Sequence, residues 1–419
     1  MNSRERITKT LNHEEPDRIP IDFGATPVTG ISVSIVSKLR KHYELNNSPV
    51  KVIEPYQMLG EINEGLRETM GVDCIALQGK KNIFGFENSN WKKWTLFDGT
   101  KTWVPGRFNT NFEKEGSILQ YPEGDMSAGP SAKMPANGYY FDTIIRQHKL
   151  DESRLDPEDN LEEFTILSDQ ELKYFEDEAD YLYENTNLAI VANIGGMSFG
   201  DIALVPGPSL RDPKGIRDIS EWYISTNTRK DLIKEIFYKQ SEIAQENLKL
   251  FYQAVGDKIS VIFMSATDYG TQRSPFISNE TYRQLYFPFH KKLNDWVHKN
   301  TGWKTFMHTC GSIEPLIENF IEAGFDILNP VQLSAANMDA SRLKEKYGSR
   351  ITFWGGGVDT QKTLPFGESE EVANEVEDRI KIFSKGGGYV FSSIHNIQAN
   401  TPIENIVRMI SCVKEFLFD

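Results

Sequence analysis

Eight short apolar runs, separated by longer amphipathic stretches, constrain this chain more than any other feature. The runs are Arg18–Phe23, Val72–Leu77, Leu188–Ile194, Ile259–Met264, Lys304–His308, Phe325–Pro330, Ile351–Trp354 and Tyr389–Ser392. Most are rich in β-branched or aromatic residues, and most are followed closely by Gly, Asn, Asp or Ser. Short continuous apolarity is how a parallel strand reads when both of its faces are covered, because neither face selects polar residues. Helical patterns lie between them, over Ile31–Tyr43, Ile53–Met70, Arg229–Ala254, Ser278–Asn300, Glu314–Ala323 and Glu370–Ser384. Ser278 reads as an N-cap, and Gly324 as a helix stop. A last helix reads as capped by Thr401, with Pro402 in its first turn and Glu404 near the positive end of the dipole. Eight buried strands alternating with helices predict an α/β fold, a (β/α)8 TIM barrel. An open doubly wound sheet is the alternative.

The stretch from Lys80 to Pro157 breaks the alternation. It carries Trp91, Trp94 and Trp103, several Gly and Pro, and alternating segments such as WKKWTLF. It reads as a β-rich insertion between the second and third strands, which either covers the barrel mouth or only packs there. Residues 1–419 are expected to form a single barrel domain with this insertion at about 80–157, although the length also accommodates two or three smaller domains.

Composition narrows the function classes. Hydrophobic residues make up 39% and charged residues 25%, which is ordinary for a globular chain. A formal charge of −14 argues against nonspecific nucleic-acid binding. Cys74, Cys310 and Cys412 do not make a secreted disulfide framework. The opening MNSRERITKTLNHEEPDR lacks the apolar core of a signal peptide, and no run reaches the roughly 18 apolar residues that span a bilayer. The expectation is a cytoplasmic protein that binds neither membrane nor nucleic acid and acts on a small molecule. A homodimer is the assembly left open.

Catalytic groups in a barrel come from the C-terminal ends of the strands and the loops after them. Here those positions carry Asp22 and Thr26, then Asp268 through Arg273, then His308-Thr309-Cys310-Gly311. Asn329, Gln332, Asp359, Thr360, His395 and Asn396 follow. Of seven histidines, His308 and His395 stand at strand ends, whereas His13, His42, His148, His290 and His298 read as surface residues. His308 and Cys310 are two apart, so on a strand both point to one face. Imidazole plus thiolate is a ligand set that suits zinc, and a catalytic zinc has three protein ligands and an open position. His395 is the candidate third ligand. Blander readings stand beside this one: Cys310 as a small residue before a tight Gly311 turn, His308 as a hydrogen-bonded core histidine, and His395 as an uncoordinated general acid. Cys74 and Cys412 read as core. The runs Gly355–Gly357 and Gly386–Gly388 either approach a phosphate or simply turn the chain, and neither fits a nucleotide-binding pattern.

Three segments carry a resemblance that extends through most of the chain. They are ERITKTLNHEEPDRIPIDFG, FMHTCGSIEPLIENFIEAGFDILNPVQ and GGYVFSSIHNIQANTPIENI. They resemble the uroporphyrinogen decarboxylase superfamily, which implies a (β/α)8 barrel. Its decarboxylase branch works without a cofactor, with an arginine-rich segment after the first strand and an aspartate past the second. Here those places read Gly24-Ala25-Thr26-Pro27-Val28-Thr29-Gly30 and Leu77-Gln78-Gly79-Lys80. The zinc methyltransferase branch, which moves a methyl group from a corrinoid to a thiol, carries H-x-C-G on the fifth strand and a cysteine on the last. His308-Thr309-Cys310-Gly311 matches that motif, and His395 replaces the cysteine.

The resemblance therefore implies a zinc-dependent methyltransferase-like enzyme with a corrinoid such as methylcobalamin as donor, and a corrinoid protein as a candidate partner. In that scheme zinc is held by His308, Cys310 and His395. Asp268 either takes the thiol proton or orients a metal-bound imidazole, His395 doubles as the candidate acid or base, and Tyr269, Gln272, Arg273, Gln332 and Asn396 bind substrate. The alternatives are a cofactor-free decarboxylase of the uroporphyrinogen type (a carboxy-lyase) and a non-catalytic corrinoid-binding barrel.

Overall fold

The computed structural model describes residues 1–416. Seven parallel strands run in one sheet: β2 (Cys74–Gln78), β3 (Ala189–Asn193), β4 (Val261–Ser265), β5 (Lys304–His308), β6 (Ile327–Asn329), β7 (Thr352–Trp354) and β8 (Tyr389–Val390). Each pairs with the next in chain order. Residues 20–22, called β1 here, close the circle. Ile21 bridges Phe391 in parallel, Asp22 N–H donates to the Phe391 carbonyl at 2.9 Å, and Asp73 N–H donates to the Ile21 carbonyl at 2.8 Å. Six of the eight strands fall within the apolar runs, β2 and β4 overrun theirs by one residue each (Gln78 and Ser265), and the architecture is that of a (β/α)8 barrel.

Alternation along the strands explains their continuous apolarity. Ala189, Val191, Val261, Phe263, Phe306, Ile327, Trp354 and Val390 share one buried cluster inside the barrel. Their neighbours Ile190, Ala192, Ile262, Met264, Met307, Leu328 and Phe353 join the larger core beneath the helices. The interior is packed, with Phe263 stacked on Phe306 at 5.1 Å and Phe306 edge-on to Trp354 at 5.5 Å. At the N-terminal end of the barrel, Asp73 is fully buried and gathers Arg6 Nη1 at 2.7 Å, Arg18 Nη1 at 2.8 Å and the Ile21 N–H at 2.9 Å. These bonds to Asp73 tie helix Ser3–Leu11, β1 and the start of β2 together.

Several expectations are corrected. Residues 53–70 are not one helix: Val50–Glu54 and Leu59–Gly60 are strands, and only Glu64–Met70 is helical. Pro55 interrupts the pattern, and Gly60 crosses so close to the helix Val33–His42 that an added Cβ would lie 2.9 Å from Val33 Cα. Residues 278–300 form two helices, Asn279–Leu285 and Phe287–Asn300, the second with proline in its first turn. Ser278 does cap the first, accepting from Thr281 N–H. Thr401 does not cap the last helix, which spans Ile403–Glu415 and has Pro402 at its N-cap. His290 is not a surface residue but is 2% exposed, with its Nδ1 2.9 Å from the Tyr282 hydroxyl.

The insertion is β-rich, as expected. One four-stranded sheet takes Lys92–Thr95 and Lys101–Val104 together with Val50–Glu54 and Leu59–Gly60. A second, antiparallel sheet takes Thr110–Phe112, Ile118–Gln120, Ala132–Met134 and Asp142–Thr143. Phe84, Phe108 and Phe141 form their common aromatic core. The chain leaving them grips the loop after β3: Arg146 donates to the carbonyls of Gly207 and Leu210, and Gln147 Oε1 accepts the N–H groups of Arg217 and Asp218. Among the described residues, no helix is long and apolar enough to cross a membrane.

Candidate metal centre

His308 ends β5 and is 3% exposed, and Cys310 stands two residues on, half-buried. The turn that carries them is held at every backbone N–H. Thr309 donates to the Asn329 carbonyl at 2.8 Å, Cys310 to Asp268 Oδ1 at 2.7 Å, Gly311 to Gln332 Oε1 at 2.8 Å and Ser312 to the Thr271 carbonyl at 2.7 Å. Gly311 has φ +89°, and a Cβ there would sit 2.4 Å from the Gly270 carbonyl. The loops after β4 and β5 thus meet backbone to backbone, which only glycine permits. A register shift between Phe263 and Ser265 bends the end of β4 where the chain departs towards Asp268.

His395 reaches the same place from the loop after β8. Its ring centroid is 5.4 Å from that of His308, and Cys310 Sγ is 3.4 Å from His308 Nε2. One donor atom from each of His308, Cys310 and His395 lies within 4.8 Å of the other two. Bonds of ~2.0–2.3 Å at tetrahedral angles place ligand atoms roughly 3.4–3.7 Å apart. The His308–Cys310 separation already has that value, and the third ligand needs at most a small side-chain rotation.

The electrostatics suit a cation. Burial lowers His308 to about 4. Burial, then the neighbouring His308, lowers His395 to about 4 against the opposing pull of Asp268. Both rings are neutral near pH 7, the form that ligates metal. Burial pushes the Cys310 thiol well above its ordinary value, and Asp268 adds to the rise. Burial likewise raises Asp268, opposed by the Cys310 N–H. Three soft or borderline donors with the Asp268 carboxyl beside them fit a zinc ion.

The remaining candidates separate. Asp268 faces the cluster, with Oδ1 4.0 Å from His308 Nε2. Gln272 and Arg273 are exposed on the rim, in a turn closed by the Gly270–Pro275 bridge. Gln332 is buried and supports Gly311. Tyr269 turns away from the mouth, and its fully buried ring packs edge-on to Tyr282 and Tyr286. Asn396 is 1% exposed and spends its amide within the protein: Oδ1 accepts from Gly30 N–H at 2.6 Å, and Nδ2 donates to the Pro27 carbonyl and to Gln57 Oε1. The side chains of Tyr269 and Asn396 are thus engaged by Tyr282 and Tyr286 and by Gly30, Pro27 and Gln57.

Three neighbours escaped the sequence. The Tyr223 hydroxyl donates to the Asp268 carbonyl at 2.8 Å from a helix, Ile219–Thr228, that its weak amphipathic pattern does not announce. Asp201, in the loop after β3, is raised to about 7 by burial and then by Asp268. Asn329, noted only as a polar residue at a strand end, touches His308.

The family described as uroporphyrinogen decarboxylase (URO-D) matches residues 208–416, a span that holds Asp268, His308, Cys310 and His395. The chain belongs to the uroporphyrinogen decarboxylase superfamily. Among solved structures, this superfamily member is similar to a methyltransferase from Methanosarcina mazei. The likeness has a TM-score of 0.54 and 15% identity and covers 99% of each chain, so it supports the fold. A GH113 β-1,4-mannanase shares 11% identity over 59% of this chain and 80% of its own, with a TM-score of 0.27 that is too low to bear on the fold. No curated protein matches.

Proposed function

We propose that this superfamily member is a zinc-dependent methyltransferase that moves a methyl group from a corrinoid donor to a thiol acceptor. The observation that carries the proposal is the convergence of His308, Cys310 and His395 donors within 4.8 Å at the C-terminal end of the barrel. His308 Nε2, Cys310 Sγ and a ring nitrogen of His395 would hold the ion. Zinc bound in this way supplies a Lewis acid that favours the thiolate form of an acceptor at its open position.

The chain's own groups do the rest. The backbone-to-backbone contact of Gly270 and Gly311 holds the Cys310 side of the site rigid. Asp268 stands 4.0 Å from His308 Nε2 and takes the proton that the acceptor thiol loses. The acceptor sulfur forms its bond to the methyl carbon as the donor's carbon–cobalt bond breaks, and that electron pair stays with the cobalt. Gln272 and Arg273, exposed on the rim, contact the acceptor's outer end, with Arg273 as the cation for an anionic group. A corrinoid protein is the candidate delivery partner.

The composition of the mouth disfavours a tetrapyrrole decarboxylase. A polyanionic substrate needs fixed positive charge, and residues 24–30 carry none, while residues 77–80 lack the carboxylate of the decarboxylase branch. The deciding assay offers the protein methylcobalamin with a panel of thiols, and separately uroporphyrinogen. Chelator-sensitive methylation of a thiol, without consumption of uroporphyrinogen, is expected. Chelator-resistant formation of coproporphyrinogen would overturn the proposal, and binding of a corrinoid without turnover of any thiol would favour a non-catalytic barrel.

A further inference from the structure

Asn329 ends β6 and is fully buried, in register with His308 on β5. The two ends of its amide have different partners. Nδ2 lies 2.8 Å from the Trp354 carbonyl, and Oδ1 lies 2.5 Å from His308 Nδ1. A backbone carbonyl only accepts, so Trp354 decides which end of the amide carries hydrogens. The other end is then a carbonyl oxygen, which also only accepts, and His308 Nδ1 must be the donor. A neutral imidazole protonated on Nδ1 has its lone pair on Nε2. Nε2 is the atom 3.4 Å from Cys310 Sγ.

We propose that Asn329 is a positioning residue that locks His308 in the Nδ1–H tautomer and so presents the Nε2 lone pair to an ion shared with Cys310 and His395. The relay crosses the ends of three consecutive strands, β5, β6 and β7, so the ring is oriented by the barrel and not by a loop. Gly355 makes room for it: a Cβ there would lie 3.3 Å from Asn329 Nδ2 and 2.7 Å from the Pro330 carbonyl. The metal half of this role rests on the zinc reading above, whereas the tautomer half stands on the hydrogen bonds alone.

The test keeps the two apart. Long-range proton–nitrogen NMR on metal-free, histidine-labelled full-length protein reads the tautomer, with the His308 signal identified by its loss in His308→Gln. Wild type should show Nδ1–H. Asn329→Leu, which removes the acceptor, should populate Nε2–H and weaken zinc affinity, measured by chelator competition, by roughly 10–100-fold. Asn329→Asp restores an acceptor and should return both the tautomer and the affinity towards wild type. Nε2–H in the wild-type protein would overturn the proposal, as would an Asn329→Leu protein with unchanged tautomer and affinity. Should Asn329→Leu fail to fold, the wild-type spectrum and Asn329→Asp decide. A wild type that shows Nδ1–H yet binds no zinc refutes the zinc reading while leaving the tautomer assignment in place.

Discussion

Loading the His308–Cys310–His395 site with zinc should release one proton per ion near neutral pH. Metal ligands bind in deprotonated form, so every proton they hold beforehand must leave. Both imidazoles sit at about 4, so each is already neutral at pH 7 and gives up nothing. The Cys310 thiol is raised well above its ordinary value, so it keeps its proton until the ion arrives. One released proton makes zinc affinity rise about tenfold per pH unit, or about 1.4 kcal/mol, and the rise is towards higher pH because the proton is a product. His395→Cys replaces a neutral ligand with a second buried thiol, so the count should become two and the dependence about a hundredfold per unit. Calorimetric titration of zinc into metal-free protein, in two buffers of different ionisation enthalpy, counts the protons directly. The count should survive Asp268→Asn and Asp201→Asn, which remove the other nearby groups able to shed one. A count of zero in wild type, or the same count in wild type and His395→Cys, would refute the reasoning.

Two further outcomes concern stability. His290 is held at about 3 by burial, while an unfolded histidine takes up its proton near 6.5, so the unfolded state binds more protons and stability falls as pH drops below about 6.5. By pH 5 this one group should cost about 2 kcal/mol, and His290→Gln should flatten that part of the pH dependence in urea unfolding. Asp73→Ala leaves buried Arg6 without one partner, although Asp17 still engages it at 2.6 and 2.9 Å. The loss should be about 3 kcal/mol, the lower end for a broken buried pair, read as a lower urea midpoint with zinc content unchanged.

The barrel was legible because burial on both strand faces leaves one signal, short apolar runs, and β1 to β8 lie within those runs or overrun them by one residue. His308 and Cys310 were legible for a related reason, since a motif at a strand end inherits its direction from the strand. Loops and helices hid more. Tyr269 follows Asp268 directly, yet the turn after β4 sends its ring into the aromatic layer under the helices. Asn396 looked free for a substrate because nothing local shows that Gly30 and Gln57 consume its amide. His290 was missed beside Lys291 and Lys292, although its helical spacing with Tyr286, Leu293 and Val297 marks a buried face. The helix expected over 53–70 failed because apolar spacing outweighed Pro55 and Gly60 in the sequence, and tertiary packing reverses that weighting.

Zinc content bears most directly on the central claim. Elemental analysis of the purified protein should find close to one zinc per chain, and Cys310→Ala should lose most of it. His395→Cys should retain the metal, because thiolate and imidazole are both competent ligands. A wild-type protein that purifies and methylates a thiol without metal, or a Cys310→Ala protein that keeps its full zinc complement, would contradict the account.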